Sequence, residues 1–175
     1  MKILSTLFIS LMLLLSINAT AQKCKTDKIL INTDASTPAV AMHGYDVLSY
    51  FDHKPAKGNP SISSIHQGVT YVFVSETHKQ SFDANPEKYL PVYGGFCAVA
   101  ASFGKVEELQ QYDIYEVING KLYFNKNRKA EALWKKNPKK VIRKSNKKWD
   151  CLVYKHGVTK SSSYTQPPAT DGIIK

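Results

Sequence analysis

The sequence predicts an α+β fold, a single small domain of antiparallel hairpins with several short helices. Three features predict it. "VINGKLYF" places two alternating stretches around Asn119-Gly120, residues suited to the positive φ angles of a type I′ turn. "SISSIHQGVTYVFVS" repeats the arrangement around Gln67-Gly68. Between these hairpins stand short segments with helix-start signals, in no βαβ rhythm.

Taken in order, residues 1–21 have the form of a secretory signal peptide. Met1-Lys2 precedes an apolar run from Leu7 to Ile17, and Ala19-Thr20-Ala21 offers a cleavage site after Ala21. The run is too short to span a bilayer comfortably. Ala21-Gln22-Lys23 lacks the small-residue approach that lipidation at Cys24 would need. Residues 22–40 read as a polar lead-in with one short strand at Ile29 to Ile31. From residue 41 the texture changes, and residues 41–149 form the expected domain.

Within it, Val47-Leu48 and Tyr50-Phe51 make a short helix or strand, followed by a loop punctuated by Pro55, Gly58 and Pro60. Val69 to Val74 is β-branched and aromatic with little polarity, so a strand buried on both faces is expected. Ser75 is placed to cap a helix over "ETHKQSF". Asn85-Pro86 opens "PEKYLPVY" with proline at the first helical position, and Pro91 ends it. After the Asn119-Gly120 hairpin, "NRKAEALWKKN" predicts a terminal helix with Ala130, Leu133 and Trp134 on one stripe. Residues 150–175 are Ser/Pro-rich in large part and predict a polar, mobile tail.

The formal net charge is +10, and the excess crowds between Lys126 and Trp149. Such a run is either the solvated face of a helix or a contact for an anionic surface. An exported chain without aromatic interleaving in its basic run gives no support for nucleic-acid binding. No later segment approaches transmembrane length. The expected location is secreted or periplasmic, after cleavage.

In an oxidising compartment the three cysteines have to be accounted for. Cys24 and Cys151 lie on either side of the expected domain, and their pairing would tie its ends together. So long a loop stabilises by at most about 4–5 kcal/mol in the chain-entropy model. Cys97 is then the odd thiol, in "YGGFCAVAASFG". The glycines permit close backbone approach, which would bring Cys97 to a site shared with the helix of His78. A helix N-terminus at Cys97 would lower its pKa; the alternative is a buried cysteine acting as a small hydrophobe. The histidines are His43, His53, His66, His78 and His156, and no two are spaced as H-x-x-H or H-x-x-x-H. Any metal site must therefore draw on distant segments.

The chain resembles the YHS domain family over roughly Ala41 to Trp149. The resembling stretches are "GYDVLSYF", "GVTYVFVSETHKQSFDANPEKYLPVYGGFCA", "GKLYFN" and the closing "KKW", in the family's order. Shorter YHS and related metal-binding domains carry Y-x-F-C-S-x-x-C-K-x-x-F. Tyr71, Phe73, Ser75, Lys79 and Phe82 match that pattern, while Val74 and His78 stand where its two cysteines would be. The resemblance implies metal handling more than catalysis. His78 with Cys97 would form a mixed N/S pair suited to copper or zinc, with His66, His43 and Asp46 as further donors. Two alternatives accompany this expectation. One is a YHS scaffold or binding domain whose metal site has decayed. The other is a thiol-dependent enzyme with Cys97 as nucleophile, His78 as base and Asp46 orienting it.

Overall fold

The computed structural model describes residues 24–34 and 39–159. The leader expected at residues 1–21 and the end of the chain beyond residue 159 lie outside them. The fold is α+β, with three two-stranded antiparallel ladders and five α-helices among the described residues. Strand β1 (Lys28–Ile29) pairs with β6 (Val158–Thr159). β2 (Asn59–His66) pairs with β3 (Val69–Phe73), and β4 (Tyr115–Ile118) with β5 (Lys121–Phe124). The helices are α1 (Glu76–Ala84), α2 (Pro86–Tyr89), α3 (Ala98–Ser102), α4 (Arg128–Lys136) and α5 (Pro138–His156).

Both expected hairpins form. Gln67-Gly68 and Asn119-Gly120 all take positive φ, as type I′ turns demand. β3 is buried on both faces because it is not an edge. β2 pairs with one side, while Ala41 N–H donates to the Thr70 carbonyl and Thr70 N–H to the Ala39 carbonyl on the other. The strand ends at Phe73, and Val74 is exposed. Ser75 caps α1 by accepting from His78 N–H at 3.2 Å, and Pro86 opens α2.

Two expectations need correction. The lead-in expected over residues 22–40 contributes to the core in its described part: Ile29, Leu30, Ile31, Asn32 and Thr33 are buried. Asn32 N–H donates to the Gly94 carbonyl, and its side-chain amide donates to the Gly95 carbonyl at 3.2 Å. Gly94 and Gly95 both have positive φ; a Cβ on Gly94 would overlap the Leu30 carbonyl oxygen, and one on Gly95 would overlap the Met42 sulfur. Gly94 thus admits the N-terminal segment, and Gly95 admits the Met42 side chain.

The second correction concerns the boundary at residue 150. The chain continues in α5 through Asp150 to His156. Asn137 caps this helix by accepting from Lys140 N–H at 2.9 Å, with Pro138 at its first turn. Beneath the lysines, Val141, Ile142, Ser145, Trp149, Leu152 and Val153 recur at helical spacing on the face that meets the core. Ser145 is fully buried, and its hydroxyl donates to the Ala98 carbonyl at 2.9 Å. α5 carries Cys151, which forms the expected disulfide with Cys24 at a Cα separation of 4.7 Å.

The core is rich in tyrosine. Burial raises the Tyr50 hydroxyl far above its ordinary range, with Tyr45, Tyr112 and Tyr115 adding to the effect. Tyr112 is raised likewise by burial, and Tyr93 is pushed up to about 12, also by burial. A raised acid means that the unfolded chain releases its proton first. Stability from these groups is intact below pH 10, the unfolded value, and falls as pH rises above it. Each such tyrosine should cost about 1.4 kcal/mol per pH unit in that window. Thermal melts followed by circular dichroism across this range should show a steep alkaline loss, which Tyr50→Phe makes shallower. A melting temperature flat from pH 9 to 12 would contradict this.

Candidate functional site

Asp46 and His78 are brought together by four elements. The Met42–Gly44 and Leu48–Tyr50 turns carry Asp46 inward, β3 ends beside it, and α1 presents His78 from its first turn. Asp46 is fully buried. Its Oδ1 accepts from Leu48 N–H at 2.8 Å, and its Oδ2 accepts from Val74 N–H at 2.9 Å and meets His78 Nδ1 at 2.7 Å. On the far side of the imidazole, His78 Nε2 lies 3.0 Å from Oδ2 of the largely exposed Asp52. Both ring nitrogens are therefore engaged.

Cys97 has different surroundings. It precedes α3, its Sγ accepts from Ala100 N–H at 3.5 Å, and its own N–H donates to the Glu107 carbonyl at 3.1 Å. α3 packs on α4 and α5, whereas α1 packs on β2, β3 and α2. Burial pushes the Cys97 thiol up, opposed by backbone N–H groups and reinforced by the Glu107 carboxylate. The lowering expected from a helix N-terminus is overridden, since α3 has five residues and the sulfur is almost wholly desolvated.

Cys97 is among the residues that line a cavity of about 550 Å³ between α3 and α4. Val99, Ala100 and Ala130 continue its lining, Phe103 and Leu133 flank it, and Lys105, Glu107, Lys126, Asn127 and Lys129 supply its polar groups. None of His78, Asp46, His66 or His43 lines it.

No protein-family model, curated protein or solved structure matches this chain. The YHS resemblance thus rests on the motifs quoted above, and the site has to be judged on its own geometry.

His66 lies with the β2–β3 hairpin, where Nε2 is 3.2 Å from Glu87 Oε1 and its ring meets Tyr71 and Phe82 edge-on. His43 is held at positive φ against the Tyr112 ring, 5.4 Å between centroids. No group of three or more His, Cys, Asp or Glu residues arranged to hold a metal occurs among the described residues. Of the expected donors only Asp46 and His78 are neighbours. They are bonded to each other, while Cys97 lines a cavity that His78 does not border.

Two kinds of residue escaped the sequence. Asp52 has no motif around it, and only the return of its loop toward α1 shows its role. Phe103, Lys105, Glu107 and Leu133 become cavity residues only once α3 lies against α4. Leu133 shares the expected apolar stripe with Trp134, yet Trp134 is buried and Leu133 is 44% exposed.

Asp46→Ala would strand two backbone N–H donors and one face of the His78 ring, and should cost about 3 kcal/mol or more in urea unfolding. Asp52→Ala, at a partly exposed pair, should cost under about 1 kcal/mol. Equal losses in the two variants would contradict the assignment of Asp46 as the anchor.

Proposed function

We propose that the chain is an exported, YHS-like ligand-binding domain whose ligand site is the cavity over Cys97. The observation that carries this reading is the concave, largely apolar space that Cys97 helps to line, of the size that small molecules occupy. Export is supported by the signal-like form of residues 1–21 and by the Cys24–Cys151 disulfide, a bond suited to an oxidising compartment. No helix among the described residues is long and apolar enough to cross a membrane. A secreted or periplasmic location accords with these features.

Copper or zinc binding at a shared Cys/His centre is the weaker reading. A metal at His78 would have to compete with a carboxylate contact at either ring nitrogen, and a metal at Cys97 would find no imidazole in the cavity. The same lack of an imidazole counts against a thiol enzyme with His78 as base. α5 offers a second, weaker contact. Lys139, Lys140, Arg143, Lys144, Lys147 and Lys148 are exposed on it, with no acidic residue between Pro138 and Trp149, which suits loose association with anionic surfaces.

Alkylation of Cys97 by N-ethylmaleimide in the oxidised native protein tests the assignment. The rate should be at least about tenfold below that of a free thiol at neutral pH. It should climb as pH rises through and beyond the ordinary thiol range. His78→Ala should leave the rate unchanged. Fast labelling at neutral pH that His78→Ala abolishes would restore the shared-site reading.

A further inference from the structure

We propose that the cavity over Cys97 takes a single-chain anionic amphiphile, a carboxylate on an unbranched apolar tail; this rests on the reading of that cavity as the ligand site. Part of the lining is apolar: Cys97, Val99, Ala100 and Ala130 contribute small residues with no polar side-chain atom besides the sulfur. Phe103 and Leu133 line the same cavity and are 65% and 44% exposed. Scattered exposed hydrophobes need no explanation, but two that border one concave apolar surface form a continuous patch. An unbranched tail laid between them would cover both without asking for a hydrogen bond.

The charge around this trough is one-sided. Lys126 Nζ meets Glu107 Oε2 at 2.8 Å, so those two charges neutralise each other. Lys105 and Lys129 have no ion-pair partner among the described residues, and both line the cavity. The site thus presents an apolar trough with two uncompensated cations beside it. A monoanionic head with an apolar tail complements both parts; a cationic amphiphile would meet repulsion, and a neutral one would leave the lysines solvated. The thiol, held neutral by burial, opposes neither the head nor the tail.

The test is isothermal titration calorimetry of the disulfide-intact protein with hexanoate, octanoate and decanoate, and with decanol as the uncharged match, all below micellar concentrations. Affinity should rise by up to about fourfold for each methylene added. The double variant Lys105→Gln/Lys129→Gln, at surface positions that leave the core untouched, should weaken decanoate about tenfold and decanol hardly at all. Bound decanoate should slow maleimide labelling of Cys97, and Leu133→Gln should shorten that protection. If decanol binds as tightly as decanoate and the lysine variant changes nothing, the anionic class is wrong while the cavity stands as the ligand site. If none of these ligands binds or protects Cys97 even at millimolar concentration, the amphiphile proposal is overturned. Labelling that His78→Ala then abolishes would overturn the cavity reading as well.

Discussion

Burying a carboxylate is tolerable only when other donors replace its water, and the fold is arranged around one case of this. Asp46 accepts from Leu48 N–H in its own turn, from Val74 N–H where β3 ends and from the imidazole of His78 in α1. One side chain thereby fixes the path of the chain from the positive-φ turn at Met42 to the edge of the central hairpin and the start of the first helix. Its backbone joins in: Asp46 N–H donates to the Ala56 carbonyl, and its carbonyl accepts from the Ser49 hydroxyl at 2.6 Å. The same contacts decide what His78 can do. An imidazole held between Asp46 and Asp52 cross-links the turns to α1, and Cys97 lines a cavity that it does not border.

The surroundings of Cys97 follow from a second constraint. The N-terminal segment passes so close to Gly94, and the Met42 side chain so close to Gly95, that neither glycine tolerates a Cβ, and the Cys24–Cys151 disulfide holds the start of that segment to α5. With α5 fixed, Ser145 reaches the Ala98 carbonyl and α3 is packed against the helix pair α4–α5. Cys97 is left at the base of the gap between α3 and α4. The small residues after it, Ala98 to Ser102, serve this packing, and the chemistry open to the thiol is that of a soft, neutral wall of a cavity.

Much of this was legible in advance, and the failures have a pattern. The hairpins at Gln67-Gly68 and Asn119-Gly120, the Ser75 cap and the Asn85-Pro86 start were all readable because each is a local rule about backbone angles and nearby donors. The Cys24–Cys151 bond was readable from the positions of the three cysteines. What the residues hid was long-range. α5 looked like a solvated charge run because lysines outnumber the apolar residues that make its inner face. The glycine pair was legible as a close approach, but nothing local says that Leu30 and Met42 are what approach. His78 and Cys97 have the right chemistry for a soft metal, yet a donor set is a matter of which side chains converge, and Asp46 competes for the imidazole from 32 residues away.

Cobalt(II) is the most direct probe of that separation, because it adopts zinc-like sites and a bound thiolate reveals itself by charge-transfer absorption. The protein with its disulfide intact and its single thiol free would be titrated with cobalt, beside Cys97→Ser and His78→Ala. The arrangement described predicts no thiolate-to-cobalt band, and identical spectra for the wild type and Cys97→Ser. A band in the wild type that disappears in both variants would put Cys97 and His78 on one ion and contradict the account.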